Sequence, residues 1–374
     1  MFNKIKSMFK GNTQNEKKEI VNRKTKRIDL EEQLVDKHYE FLKRLDKHNV
    51  NIEFGGLISL LGLNTKETIK SFIDLELIKE SDYEDEIQMM TIPKLKDILR
   101  SKQCKLTGKK QELVERVLEN FSREECSNFI KGNKYYILTE KGKELLGGYR
   151  RKKEKELLEV EYKCIQLLKQ RKINEAYKEM ALYESKQPLK RGIGIDWDRE
   201  YRIGLNKIEL MFLNELYKEY SIEIVCAVAM ISFFGGKNIK GIILRNFNNL
   251  IDEEVDLIDK KAFYLVKVNN TKRELLELKE AGIEKYEFLA SLDSKTCPVC
   301  GKLDGKSFKL QEAVIGVNCP PMHNSCRCCT VAHLKKEKGD TRIARNPETG
   351  KNYYVPSNMN YSKWIKTVNI DVKK

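Results

Sequence analysis

Residues 297–301 read Cys297-Pro298-Val299-Cys300-Gly301, and residues 323–328 read His323-Asn324-Ser325-Cys326-Arg327-Cys328. Two thiolates two residues apart reach one cation from a single turn. After a loop of 22 residues an imidazole and two more thiols follow. The pattern C-x2-C, loop, H-x2-C-x-C fills a tetrahedral site with one ligand to spare, and structural zinc (Zn2+) suits that donor set. Cys297, Cys300, His323 and Cys326 are the favoured ligands, with Cys328 competing for the fourth place. Gly301 is expected to let backbone N–H groups point back at sulfur. Four protein ligands leave no open position for water, so no catalytic residue is assigned and the chain reads as a non-enzyme. The other readings of these residues are free thiols packed in a small hairpin, and disulfides formed outside a cell.

Around this cluster the pattern is that of short strands. Tyr286 to Leu292 precedes the first half-site and Thr330 to His333 follows the second. Between them Leu303-Asp304-Gly305-Lys306-Ser307-Phe308 signals a hairpin, because Asp-Gly suits a turn that needs positive φ. Six of the ten cysteines lie between Cys297 and Cys329, a density that points to a metal. Cys319 and Cys329 read as bystanders. Cys104, Cys126, Cys164 and Cys226 are isolated among apolar or helical neighbours and read as packing residues.

The 374 residues carry 71 Lys+Arg against 56 Asp+Glu, a net charge of +15, with 40% hydrophobic residues. That content excludes wholesale disorder, and the length suggests two or three domains. The longest apolar run, Ile224 to Phe234, is shorter than the roughly 18 residues a spanning helix needs, so it reads as a buried core helix and no stable membrane insertion is expected. Met1 to Lys10 is basic with no apolar stretch behind it, so no secretory signal is read and a cytosol is expected. Residues 151–285 form a helical middle. Two helices are expected over 153–185, meeting near Lys172 to Asn174, and a turn over 187–197. A second helical block follows, with Leu205, Ile208, Phe212, Leu213 and Leu216 as its core face. Gly235-Gly236 breaks the chain without any phosphate-loop spacing.

Toward the other end, residues 1–29 read as a basic arm, with nine Lys/Arg against two Glu in the first 27. Residues 30–84 suit a helix-turn-helix, with Asn64 or Thr65 capping its second helix. Residues 85–150 hold two short helices around Leu95, Ile98, Leu99, Leu113, Val114, Val117 and Leu118, with Pro93 in the first turn of one. Thr91 and Thr107 are the expected caps. Lysines and arginines surround this small core. Tyr135 to Leu146 then reads as a strand entering a capped helix, and Gly147-Gly148 as a boundary. The fold class is α+β and mostly α: helical N-terminal modules, a helical middle, and a small zinc-pinned β-containing unit over 286–374.

The stretch around LTGKKQELVERV (residues 106–117) resembles the SAP domain, a two-helix DNA-binding module. The resemblance implies double-stranded DNA as a partner, through Thr107, Gly108, Lys109, Lys110 and Arg116; Lys94, Arg100 and Lys105 join them as nearby basic residues. No Arg and Asn pairs suited to base edges are present, so the binding expected is salt-sensitive and sequence-tolerant. Segments like the one after Tyr135 close winged-helix domains and trail SAP-like modules in phage proteins.

A second resemblance rests on Asp293, Thr296, Cys297, Cys300, Leu303, Asp304, Gly305, Lys306, His323, Cys326, Arg327 and Cys328. These match the C-terminal pattern of phage head morphogenesis proteins, the minor capsid proteins of the Mu F and SPP1 gene 7 product type. Pro356, Met359, Tyr361 and Trp364 are similar to the family's closing segment. Extra Cys319 and Cys329, Met322 before His323, and Phe288 in place of a common Trp depart from it. The resemblance implies a structural, portal-associated head component, with portal and capsid proteins as partners and no small-molecule substrate. Its expected place is the bacterial cytoplasm during assembly and then the virion head. The rival readings are a DNA-binding regulator that uses zinc for a docking module, and an effector enzyme, for which no constellation is present.

Overall fold

The first helix of the computed structural model, α1 (Asp36–Leu45), leads through β1 (His48–Asn49) and α2 (Gly56–Ser59) to α3 (Thr65–Asp74) and β2 (Ile78–Glu80). The structure describes residues 34–130, 134–192, 194–236, 238–334 and 339–368. The expected basic arm lies outside them. Asn64 caps α3 by accepting the Glu67 N–H at 3.4 Å, as its position before the apolar face suggests. The partner of β2 lies more than fifty residues further on. Strand β3 (Tyr135–Leu138) pairs antiparallel with β2 (Ile78 opposite Leu138) and with β1, giving a sheet in the order β1-β3-β2. This order of helices and strands is that of a winged helix. Phe41, Leu42, Phe72, Leu77, Ile78 and Leu138 are buried in its core, each contributing roughly 1.5–3 kcal/mol where fully buried.

Where a wing would turn, the chain instead builds a second core. Helices α4 (Tyr83–Met89), α5 (Ile92–Ser101), α6 (Lys110–Asn120) and α7 (Arg123–Ile130) enclose Ile87, Leu95, Ile98, Leu99, Leu113, Val114, Val117 and Cys126. The insert is clamped where it leaves the sheet. Ser81 exchanges bonds with Tyr135, and Lys134 reaches both the Ser81 carbonyl (2.7 Å) and the buried Glu86 carboxylate (3.0 Å). The helix-turn-helix expected over 30–84 is therefore only part of a fold that residues 134–149 complete. Local helical periodicity carries no record of the β2–β3 pairing.

The Thr139–Gly142 step seals this fold. Thr139 Oγ1 donates to the Glu76 carbonyl at 2.6 Å and accepts the Gly142 N–H at 3.1 Å. A Cβ on Gly142 would stand 2.1 Å from the Leu77 carbonyl oxygen, so only glycine fits there. Helix α8 (Glu140–Lys169) then runs straight through Gly147-Gly148, which mark no boundary. The stacking of Tyr149 on Tyr39, with ring centroids 4.6 Å apart, helps offset the roughly 1 kcal/mol that each helical glycine costs.

The chain divides into two units. Among the described residues, one holds those from 34 to Leu158 with Tyr183–Ile195; the other holds Glu159–Leu182 and those from Asp196 to 368. Helix α9 (Ile173–Ser185), of which residues up to Leu182 belong to the second, follows α8 across the turn at Arg171, near the expected meeting point. Helices α10 (Trp197–Ile203), α11 (Lys207–Glu219), α12 (Ile222–Phe234), α13 (Ile239–Asn246) and α14 (Asp252–Glu280) form the rest of the helical layer. Helix α12 is apolar on every side and buried from Val225 to Ile231, and Gly235 ends it at φ +74. Leu213 and Leu216 are core as expected, but Ile208 is 54% exposed, because the inward face of α11 runs through Glu209, Leu213 and Leu216. Among the described residues no helix is long and apolar enough to cross a membrane.

After α14 the chain becomes β-rich. Strand β4 (Lys285–Leu289) is central in a sheet of order β5-β4-β6, with β5 at Ser307–Lys309 and β6 at Cys329–Ala332. Helix α15 (Pro298–Leu303) stands between β4 and β5. The hairpin β7 (Thr341–Arg345) and β8 (Asn352–Pro356) and the helix α16 (Tyr361–Thr367) close a second small core on Leu292, Ala344, Val355 and Trp364.

Candidate metal centre and nucleic-acid interface

Cys297 is the N-cap of α15, so its sulfur sits at the helix start and accepts the Cys300 N–H at 3.4 Å. One turn on, Cys300 lies on the same side. The loop after β5 brings His323 back, with Nε2 3.3 Å from Cys297 Sγ and 3.6 Å from Cys300 Sγ. Cys326 Sγ is 3.9 Å from Cys300 Sγ. Cys300 belongs to two groups of potential ligands, one with Cys297 and His323 and one with Cys326 and Cys328. Ligands placed tetrahedrally around one metal ion stand roughly 3.5–3.8 Å apart, close to the Cys297–His323, Cys300–His323 and Cys300–Cys326 separations, and the two groups have Cys300 in common. All five candidates from the sequence are thus brought together, and the cluster can hold a metal ion. Cys319 and Cys329 fall outside both groups.

The protonation pattern explains why a cation suits the cluster. The Cys328 thiol donates to Cys326 and holds its pKa down at about 4. Burial, then the bond that its thiol donates to Cys297, pushes Cys300 up to about 12; the bond to Cys326 and burial also drive Cys328 up. Packed sulfurs cannot all ionise together without a positive charge among them. His323 is already oriented, since Nδ1 lies 2.7 Å from the Asn324 carbonyl oxygen. A carbonyl can only accept, so Nδ1 carries the proton and the Nε2 lone pair faces the sulfurs.

The shell behind the ligands is where sequence reading falls short. Asp304-Gly305 does not turn a hairpin: β5 pairs with β4, and Asp304 caps the end of α15. Gly305 has the expected positive φ of +79, but the Asp304 side chain is fully buried. It accepts the N–H groups of Ala290 (2.7 Å) and Tyr361 (2.6 Å) and pairs with Arg342 (3.0 Å). Arg342 goes on to the carbonyls of Ala290 and Met359. Asp293 pairs with Arg327, between two candidate ligands, and accepts the Lys295 N–H. Gly301 also differs from expectation. Its N–H bonds the Cys297 carbonyl, and its missing Cβ makes room for the Tyr361 ring, which would lie 2.4 Å from a methyl there. Lys267 of α14 reaches the Cys326 carbonyl. No spacing rule points to Arg342 or Lys267, because both act across long sequence separations.

In the inserted helical module, Lys94, Lys105, Thr107, Gly108, Lys109 and Lys110 are exposed. Gly108 has φ +134 and opens the turn before α6. The N-cap is Lys109 and not Thr107, and no side chain caps the helix, so its first N–H groups face outward beside two lysines. Thr91 is the N-cap of α5, as expected, without a side-chain bond. Arg116 is turned inward, its guanidinium donating to the carbonyls of Lys105 (2.6 Å) and Thr107 (3.3 Å). Arg100 pairs with Asp97. Arg116 thus braces the turn, Arg100 is held by a carboxylate of its own helix and Lys102 pairs with Glu125 at 2.6 Å, while Lys94, Lys105, Lys109 and Lys110 form no ion pair among the described residues. The outer face of α3 carries Lys66, Glu67, Lys70, Ile73 and Asp74, a balanced set with no basic stripe.

Comparison with known families agrees with both resemblances. Residues 252–331 match the family described as Phage Mu protein F like protein, and residues 86–122 match the SAP domain. The first match begins at the first residue of α14 and ends in β6, so it holds the helix, the sheet and the whole Cys/His cluster. The match to this family points to phage head morphogenesis, and the SAP match to DNA binding. The tail with β7, β8 and α16 lies beyond the matched residues. No curated protein matches the chain.

Proposed function

We propose that the chain is a structural, non-enzymatic minor component of a phage or prophage head, associated with the portal and contacting DNA without sequence preference during assembly, packaging or ejection. The observation that carries this reading is the coincidence of the Mu F-like match with one folded element, in which α14 and the sheet hold the Cys/His cluster. In that element Cys297, Cys300, His323 and Cys326 hold one zinc ion, and Cys328 competes for the fourth position. Zinc there supplies a cross-link that fixes the loop between β5 and β6 onto α15. With four protein ligands it serves structure, not turnover.

Lys94, Lys105, Lys109 and Lys110, with the turn at Thr107 and Gly108, meet the phosphate backbone. Arg100 and Arg116 act behind them. Packaged DNA presents a dense field of phosphates, which this lysine-faced module suits without base contacts. Before assembly the chain resides in the bacterial cytoplasm, and afterwards in the virion head.

The test is mass spectrometry of density-purified particles from a culture carrying the gene. The expected result is this chain at low copy beside portal and capsid proteins. Its absence from particles would remove the virion component. The second reading, a DNA-binding regulator, draws on the winged-helix order of the first unit. It requires a preferred DNA sequence, whereas the balanced charges on α3 favour no such contact.

A further inference from the structure

A groove of about 840 Å³ runs between the C-terminal half of α14 and the β4–β5 edge of the sheet. Its floor is apolar, formed by Leu276, Ile283 and Leu310, with Leu276 49% exposed. Its rim is cationic. Lys272, Lys279, Lys285 and Lys309 stand around it against a single lining carboxylate, Glu284. Lys309 also has Glu312 at 3.6 Å; the other three lysines form no ion pair among the described residues. An exposed apolar floor with a rim of mostly one charge is the mark of a surface that a partner completes.

We infer that this groove docks an acidic amphipathic helix of a partner protein. Lys272 and Lys279 lie two turns apart on α14, about 10 Å, with Leu276 between them on the same face. A helix laid alongside would place leucine-like side chains on the floor at i, i+3 or i+4, and i+7, and its carboxylates on the lysine rim. Nucleic acid answers the lysines but leaves the three apolar side chains against a hydrated backbone. The chain's own N-terminal arm carries nine Lys/Arg against two Glu in its first 27 residues, the wrong sign for this rim. The inference rests on neither the DNA nor the metal reading.

The test uses the full chain and a fluorescein-labelled 18-residue peptide with Leu at i, i+3, i+4 and i+7 spacing and Glu elsewhere, read by fluorescence anisotropy. Saturable binding is expected, weakened about tenfold or more by Leu276→Asp and by the pair Lys272→Glu and Lys279→Glu. Lys109→Glu with Lys110→Glu, in the inserted module, is expected to leave it unchanged. All the altered side chains are at the surface, and circular dichroism of each variant checks that the fold persists. No binding, or equal binding of a scrambled peptide of the same composition, overturns the inference. So does binding of phosphatidylglycerol vesicles or duplex DNA that depends on Leu276 and Lys279 as strongly as the peptide does, since the groove would then serve a lipid or nucleic acid.

Discussion

Arg342 closes over Asp304 at 3.0 Å, an ion pair in which the carboxylate is wholly shielded and the guanidinium nearly so. Asp304 ends the helix that starts with two candidate ligands, while Arg342 belongs to the hairpin after the cluster, so the pair ties the Cys/His unit to the closing core. Asp304→Asn leaves Arg342 buried without its counter-charge. The expected cost is about 3–5 kcal/mol. Urea unfolding followed by Trp364 fluorescence, with Trp197 replaced by Phe, measures it; a loss under about 1 kcal/mol would mean that the pair is solvated.

Two glycines should respond in opposite directions. Gly301→Ala drives a methyl into the Tyr361 ring and is expected to destabilise this unit by about 1–3 kcal/mol. Gly148→Ala meets nothing within 4 Å inside a helix and is expected to stabilise by up to about 1 kcal/mol. Thermal melts of the two single variants decide it, and equal shifts of the same sign would contradict the packing described here.

The cluster should bind about one zinc per chain by atomic absorption, the stoichiometry of a single tetrahedral site. Cys297→Ala and Cys300→Ala are expected to abolish binding. Cys326→Ala and Cys328→Ala separate the rival fourth ligands, because only the true ligand's loss should weaken affinity strongly. Binding should also fall as the pH is lowered, since protons compete for the thiolates and for His323. Zinc content unchanged in Cys297→Ala would sink the site.

For DNA, Lys109→Glu with Lys110→Glu should weaken binding of the full chain to duplexes of unrelated sequence by similar factors. With four lysines on phosphates, affinity should drop roughly 10²-fold between 50 and 200 mM salt. Arg116→Ala is expected to act differently, loosening the turn at Lys105 and Thr107 and lowering the melting temperature. Binding that is insensitive to salt would contradict a phosphate-dominated contact.

The parts of this molecule that were legible in its sequence are those whose chemistry is local. The spacing of Cys297, Cys300, His323, Cys326 and Cys328 announced the cluster, because short pairs of thiols and imidazoles are a typical pattern of metal ligands. The two-helix core around Leu95 and Val117 was legible from periodicity and from the Gly108 turn. Asp304 was misread because an Asp-Gly pair has the same appearance whether its side chain faces water or a buried arginine 38 positions away. The β2–β3 pairing was hidden for a related reason, since strands of three and four residues separated by a folded insert leave no periodic trace. Gly147-Gly148 misled because punctuation by glycine is a tendency that packing of neighbours such as Tyr149 overrides.

The clamp at Ser81 and Lys134 has a consequence for how such a chain arises. The inserted helices leave and rejoin the host at adjacent antiparallel strands, so the gap they bridge is no wider than a hairpin turn, and the host's loop-closure cost is set by that gap rather than by the length of the insert. Such a socket accepts cassettes. A chain built this way can gain, lose or exchange the module it carries there in one genetic step while the surrounding fold stays whole.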